Sequence, residues 1–246
     1  MNTTARHHTA DFQGVEVPEP GSLKIGPGEV HIWWSRLDRP PLDRSDLSAA
    51  LTPVEILDAQ RQRQVFDRRR KTLSRGLLRM LVAGYLGERA DSYRFERTEL
   101  GKPYLAQPHT LRFSVSHSAF GLLMAFADNF PVGVDIEVLD EVSNHPALLR
   151  RCFSQREAIA IRELPPAQRS VAIKTAWTRK EALLKAQAAG VFRGMAKVEV
   201  SYDLPARRLD EEGWRLLHLQ PDENYVGALA VQARDLTVSS YALGEF

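Results

Sequence analysis

The sequence holds a single cysteine, Cys152, in 246 residues. No internal disulfide can form, so the fold must rest on a buried core, and a reducing compartment fits. No run approaches the ~20 consecutive apolar residues that a membrane span needs. The opening "MNTTARHHTADFQG" has no apolar stretch and does not read as a secretory signal. Neither sign of charge is in excess: 33 Lys and Arg stand against 31 Asp and Glu, a formal net charge of +2. That balance is too mild to argue for nucleic-acid binding. Low-complexity tracts and coiled-coil heptads are missing, and so is the G-x-S-x-G elbow of a serine hydrolase. What is present is 43% hydrophobic and 26% charged residues, close to globular averages and enough to bury a core. The length suits one large domain or two small ones. The expectation is a soluble, cytoplasmic, monomeric protein.

Residues 1–28 are polar, with Pro and Gly near their end ("VPEPGSLKIGPGE"), and read as a flexible N-terminal arm. His7 and His8 belong to that arm, since two adjacent histidines cannot make a metal site alone. "EVHIWWSRL" (29–37) alternates as a strand does. "LTPVE" opens a helix, with Thr52 as N-cap, Pro53 at the first helical position and Glu55 completing a capping box. Helical spacing then runs to Gly87, as two helices. "YRFER" and "LRFSVSH" read as strands around the turn-like "LGKPYL". "GLLMAFADNFPVGVDIEV" reads as a hairpin turning at Asp128, Asn129 and Pro131. The pattern then repeats. Two amphipathic helices, "HPALLRRCFSQREAIAIREL" and "QRSVAIKTAWTRKEALLKAQAAG", the second capped near Gly190, precede strands "KVEVSY", "WRLLHL", "YVGALAVQA" and "LTVSSYAL". The expected fold class is α+β: two similar halves, 29–130 and 131–246, related by a pseudo-twofold with a ligand cleft between them.

Three stretches carry possible chemistry. In "VGVDIEV" (132–138) alternation puts the four apolar residues on one face and Gly133, Asp135 and Glu137 on the other. Two carboxylates then stand roughly 7 Å apart at a rise of about 3.3 Å per residue. They repel unless something lies between them. In "WTRKEALLKA", Trp177, Lys180, Glu181, Leu184 and Ala188 share a helix face, with Lys185 at its flank. One reading is an intrahelical Glu181–Lys185 pair on a partly exposed face. The other groups Asp135, Glu137 and Glu181 as oxygen ligands of a hard cation such as Mg²⁺, shared with a substrate phosphate. The bland alternative for "VDIE" is a solvent-facing acidic strand. The strand "FSVSHS" ends at Ser116, His117 and Ser118, where hydroxyls, an imidazole and backbone N–H groups can hold phosphate oxygens. A structural histidine is the alternative, and so is a Ser–His nucleophile pair. Neighbouring strand residues point to opposite faces, which argues against direct pairing of Ser116 with His117. "GKP" (101–103) presents Lys102 before a proline. The first helical region is basic (Arg61, Arg63, Arg68, Arg69, Arg70, Lys71, Arg75, Arg79) and reads mostly as a solvated face with one or two residues able to reach phosphate.

"GKP", "FSVSHS", "GVDIE", "FSQRE" (153–157) and "WTRKEALLKA" occur in the order and at about the spacing of the Sfp-type 4'-phosphopantetheinyl transferases. "VHIWW", "SRGLLR" and "KAQAAG" extend the resemblance over roughly residues 29–200. The resemblance implies a Mg²⁺-dependent enzyme that moves phosphopantetheine from coenzyme A to a serine of an acyl or peptidyl carrier protein, releasing adenosine 3',5'-bisphosphate. It implies Asp135, Glu137 and Glu181 as metal ligands, with Glu181 also the base toward the carrier serine. Lys185 is implied at the pyrophosphate, with Lys180 and Lys102 as further phosphate contacts and Pro103 beside them. Arg75 and His117, with Ser116 alongside, are implied at the 3'-phosphate. Upstream, the family's basic positions fall on Arg61 and Arg63 or on Ala59 and Gln62. "FSQRE" is read as positioning the fold or the cleft, without Glu157 as a ligand. Two rivals stay open at this level: a metal-dependent nuclease, because D-x-E with a nearby Lys suits one, and a non-catalytic coenzyme A or carrier-binding module.

Overall fold

The alternation of the central strands decides the layering. In the computed structural model, which describes residues 11–106, 108–139, 146–188, 195–200, 202, 208–209, 213–233 and 235–244, strand β6 (Gly121–Asp128) is buried along nearly its whole length. Leu122, Met124 and Phe126 face one core, while Leu123, Ala125 and Ala127 face another. Strand β2 (Glu29–Arg36) divides the same way, with Trp33 on the first side and Val30, Ile32 and Trp34 on the second. A sheet apolar on both faces must be covered on both.

The first cover is helix α3 (Val65–Leu86), whose Leu73, Leu77 and Leu81 pack on the Trp33 side. The second cover is another sheet. β7 (Val132–Val138) turns Val132, Val134 and Ile136 to the first sheet, and β10 (Tyr225–Val231) adds Leu229 and Val231. The outer face of that second sheet carries the helix α6 (Pro166–Ala186). The layers run helix, sheet, sheet, helix, a mixed α+β fold.

The first sheet has the order β1-β11-β2-β6-β5, where β1 is Gln13–Val15, β5 is Leu111–Ser118 and β11 is Thr237–Leu243. The second sheet has the order β7-β10-β9-β8, with β9 at Trp214–Leu219 and β8 at Arg208–Leu209. β3 (Phe95–Arg97) and β4 (Pro103–Leu105) form a separate ribbon. The smaller helices are α1 (Arg44–Ala49), α2 (Pro53–Gln60), α4 (Pro146–Cys152) and α5 (Gln155–Glu163). Among the described residues no helix is long and apolar enough to cross a membrane.

Local chemistry explains most boundaries. The Thr52–Glu55 capping box forms with Pro53 behind it. Gly87, at φ +87°, ends α3 in the left-handed region that favours glycine. Ser154 and Glu157 make a second capping box, which divides the expected long helix into α4 and α5.

Several expectations need correction. β6 and β7 do not form a hairpin. Both edges of β6 are already taken, by β2 and β5, so the chain turns at Asn129 (φ +58°) and enters the other sheet. The hairpin is β5–β6 instead, with Ser118 opposite Gly121. Residues 11–28 are not a loose arm: β1 pairs parallel with β11, and the Gly21 and Leu23 amides donate to the Ala83 and Gly84 carbonyls at the end of α3. His7 and His8 lie outside the described residues, as does Gly190. β11 returns from the chain's end to the first sheet, between β1 and β2, so the strands of 131–246 do not all stay in the second. "KVEVSY" (197–202) shows no strand in its described part, and its Lys197 closes a 3-10 turn, Met195–Lys197.

Candidate active site

The open edges of the two sheets meet. β5 ends the first and β7 the second, and serines stitch them. Ser114, Ser116 and Ser118 share the face of β5 that looks at β7. Ser114 Oγ accepts from the Val134 amide (3.1 Å) and Ser118 Oγ from the Val138 amide (3.1 Å). Ser116 Oγ donates to Asp135 Oδ1 at 2.6 Å, and Ser118 Oγ to Glu137 Oε2 at 2.7 Å. Each carboxylate of "VDIE" is therefore fixed by a hydroxyl from the neighbouring sheet.

α6 lies directly on that strand. A methyl on Gly133 would land on the Ala182 carbonyl and the Ala186 amide, so glycine is what lets the helix approach. The contact brings Lys185 Nζ to Asp135 Oδ1 at 2.6 Å and to Ser116 Oγ at 3.0 Å. The same ammonium is 3.7 Å from Glu181 Oε2, so the intrahelical pair also forms. Lys174 Nζ stands 3.8 Å from Glu137. Lys185 lies between Asp135 and Glu181, while Glu137 is met by Ser118 and Lys174. The three carboxylates do not close round one point, and among the described residues no three His, Cys, Asp or Glu side chains form a ready-made metal cluster.

The electrostatics are those of crowded negative charge. Burial raises the Glu181 carboxyl to about 7, with Asp135 and Glu137 adding to the rise. Burial also raises Glu137, and Asp135 contributes again. Burial opposes the charge on Lys185, yet Asp135 and Glu181 hold its pKa above the ordinary value. Asp135 Oδ2 is buried and has no hydrogen-bond partner among the described residues.

A cavity of about 540 Å³ opens over this floor, the size of a small-molecule site. Asp135, Glu137, Glu181 and Lys185 line it together with Arg70, Lys71 and Arg75 of α3, Arg97, Lys102 and Pro103 from the ribbon, and Ser116 and His117 from β5. Burial lowers the His117 imidazole, and Arg70 lowers it further. Burial also lowers the Arg75 guanidinium, which stands 3.4 Å from Glu55 and over the Phe95 ring.

Most residues singled out in the sequence converge here. Lys180 does not. It is fully buried on the opposite side of α6, where Nζ donates to Glu157 Oε2 at 2.7 Å and to the Met195 and Val198 carbonyls. Lys180 and Glu181 are about 100° apart on a helix, so one faces the α5 core and the other the cleft. The expected phosphate contact is corrected to a buried ion pair. Glu157 serves the fold, as expected: it also accepts from the Ser154 and Val200 amides. Neither Arg61 nor Arg63 lines the cleft, but Gln62 does. Arg79 is buried against Glu55 at 2.6 Å. The sequence reading left Arg70 and Lys71 within a mostly solvated basic face of which one or two residues could reach phosphate, although their spacing from Ser74 and Arg75 marks one helix face. It missed Arg97, Lys174 and the roles of Ser114, Ser118 and Gly133.

Comparison with known proteins gives two family matches and several similar chains. A family model described as the 4'-phosphopantetheinyl transferase superfamily matches residues 131–230. A second, described as 4'-phosphopantetheinyl transferase, N-terminal, matches residues 43–127. The chain is 36% identical over 225 residues to the 4'-phosphopantetheinyl transferase HetI of Nostoc, covering 89% of this chain and 94% of that protein. It is 28% identical over 209 residues to a phosphopantetheinyl transferase of Thraustochytrium, covering 78% and 70%. To the 4'-phosphopantetheinyl transferase ffp of Bacillus subtilis it is 25% identical over 187 residues, covering 75% and 79%.

Proposed function

Because the chain belongs to the 4'-phosphopantetheinyl transferase superfamily and is an enzyme transferring phosphopantetheine to carrier proteins, we propose that the transfer runs in the cleft between α3 and α6. The observation that carries this is the floor of the cleft, where Asp135, Glu137 and Glu181 meet Lys185 beneath a wall of basic side chains. Family membership sets aside the nuclease and the non-catalytic module.

Coenzyme A carries its negative charge on a pyrophosphate and a 3'-phosphate. Lys185 takes the pyrophosphate. Arg75 and His117 take the 3'-phosphate, with Arg70 and Lys71 beside them. The carrier serine oxygen attacks the β-phosphorus, a new P–O bond forms, and the bond to adenosine 3',5'-bisphosphate breaks. Glu181 accepts the serine proton, directly or through water, since it is a carboxylate lining the cleft beside Lys185. The Lys185 ammonium offsets charge that builds on the phosphoryl and leaving oxygens.

Mg²⁺ fits the donor set. All three carboxylates are hard oxygen ligands, Asp135 Oδ2 has no partner among the described residues, and Glu137 and Glu181 are raised by burial first and by neighbouring carboxylates after it. Asp135, Glu137 and Glu181 would hold it, and it would supply Lewis-acid stabilisation of phosphoryl charge. Two sheets, each backed by one long helix, support the reading of two similar halves related by a pseudo-twofold. Cys152 is a free, buried thiol, which suits a reducing setting. Asp135→Ala tests the site: transfer should be lost at every Mg²⁺ concentration while circular dichroism stays native. Unchanged turnover in a folded variant would contradict the assignment.

A further inference from the structure

Lys102 reaches across the cleft to backbone carbonyls of the second half. The turn that presents it is closed. Thr98 and Lys102 exchange hydrogen bonds (Thr98 N to Lys102 O 2.9 Å, Lys102 N to Thr98 Oγ1 3.1 Å), and Gly101 takes φ +86°. Lys102 Nζ then donates to the Val132 carbonyl at 3.0 Å and to the Lys185 carbonyl at 2.7 Å. Val132 opens β7, three residues before Asp135. Lys185 lies in the last turn of α6, one turn beyond Glu181. Its carbonyl is among the last four of the helix, beyond the regular i to i+4 ladder. Among the described residues it takes only the Ala188 amide at 3.3 Å from the backbone that follows, so a cation there suits both the acceptor and the helix dipole. The two carbonyls flank the place where α6 rests on Gly133.

We propose that Lys102 is a positioning residue, whose ammonium ties the last turn of α6 to the first residue of β7 and so holds Glu181 and Lys185 in register with Asp135. The inference rests on the active site proposed above. It assigns Lys102 a different task from the phosphate contact that the family resemblance implies. Burial and the Lys185 charge lower Lys102 to about 8, yet two of its three N–H groups are already committed to carbonyls. A phosphate ligand acts on coenzyme A affinity. A latch acts on turnover, because small misplacement of catalytic groups costs rate.

Three variants, Lys102→Met, Lys102→Arg and Asp135→Ala, are compared. Coenzyme A affinity is measured by calorimetry without carrier, turnover by carrier mass, and backbone order by amide hydrogen exchange. Lys102→Met should lower kcat about tenfold or more while the Kd for coenzyme A moves less than about threefold. Exchange should quicken in the peptides covering 132–135 and 183–188 and stay unchanged elsewhere. Lys102→Arg, which keeps donors, should restore protection and most of the turnover; if Lys102→Met does not fold, Lys102→Gln is read on the same measurements. A Kd weakened about tenfold with kcat intact would overturn the latch in favour of the phosphate contact. Unchanged exchange in both peptides would also overturn it. If Asp135→Ala is inactive while Lys102→Met turns over normally, only the latch fails. If Asp135→Ala turns over normally, the site reading fails with it.

Discussion

Glu181→Gln should make the metal-free protein more stable while removing its activity. The carboxyl moves from 4.5 up to about 7, first because of burial and then because of Asp135 and Glu137. The side chain is only 15% exposed, so solvent screens little of this. A rise of ~2.5 units at about 1.36 kcal/mol per unit puts the cost of its ionised form at ~3 kcal/mol. The folded value lies above the unfolded one, so the protein binds an extra proton when folded, and stability falls as pH rises from 4.5 to 7. Above 7 the whole cost is present; below 4.5 it vanishes. Glutamine keeps the shape and carries no charge. For a chain of this size ~1 kcal/mol is roughly 2–4 °C, so the variant should melt about 5–10 °C higher than wild type at pH 8 in EDTA. The gap should close as pH falls toward 4.5. Added Mg²⁺ should raise the wild-type Tm by mass action and raise the variant less. Transfer by the variant should be very slow, with kcat falling more than KM for coenzyme A rises. A variant that melts at or below wild type at pH 8 in EDTA would refute the idea that Glu181 sits charged in a repulsive cluster.

Removing the imidazole in His117→Ala should weaken coenzyme A binding about tenfold to a hundredfold, since a charge-assisted phosphate contact is worth roughly 1.5–3 kcal/mol. The KM for dephospho-coenzyme A should hardly move, and equal weakening of both would make His117 structural. Gly133→Ala should cost about 1–3 kcal/mol by overpacking and lose most transfer, because the methyl meets α6 backbone rather than a flexible side chain; a normal Tm and normal turnover would contradict the close packing. Lys180→Met leaves the Glu157 carboxylate buried and unpaired, a loss of about 3–5 kcal/mol in denaturant melts. Lys180→Met/Glu157→Gln should recover part of it, and coenzyme A affinity of the folded fraction should stay normal. Weaker coenzyme A binding at unchanged stability would return Lys180 to the cleft.

What the sequence disclosed is what short-range chemistry controls. Thr52, Pro53 and Glu55 name a helix start, Gly87 names a helix end, and alternation in "VGVDIEV" puts Asp135 and Glu137 on one face. Each depends on neighbours within a few residues. Which edge a strand pairs with is different. The apolar run of β6 and β7 with a turn between them fits a hairpin equally well, and only the prior pairing of β6 with β2 and β5 rules it out. The return of β11 to the first sheet is likewise set by distant residues. Lys180 shows the same limit at the site. Its place next to Glu181 in "WTRKEA" put it near the cleft, but Glu157 and two carbonyls on the far side of the helix offered it three acceptors. Lys102 was legible as a cation fixed before a proline; its carbonyl partners lie 30 and 83 residues away and carry no local signal.

The most direct test is the mass of an apo carrier protein after incubation with coenzyme A, Mg²⁺ and either wild-type enzyme or Asp135→Ala. The carrier treated with wild type should gain one phosphopantetheine group on serine, with adenosine 3',5'-bisphosphate released in equal amount, and the carrier treated with a folded Asp135→Ala should gain none. Equal gain from both enzymes, or bisphosphate released without a carrier adduct, would contradict the account of the cleft.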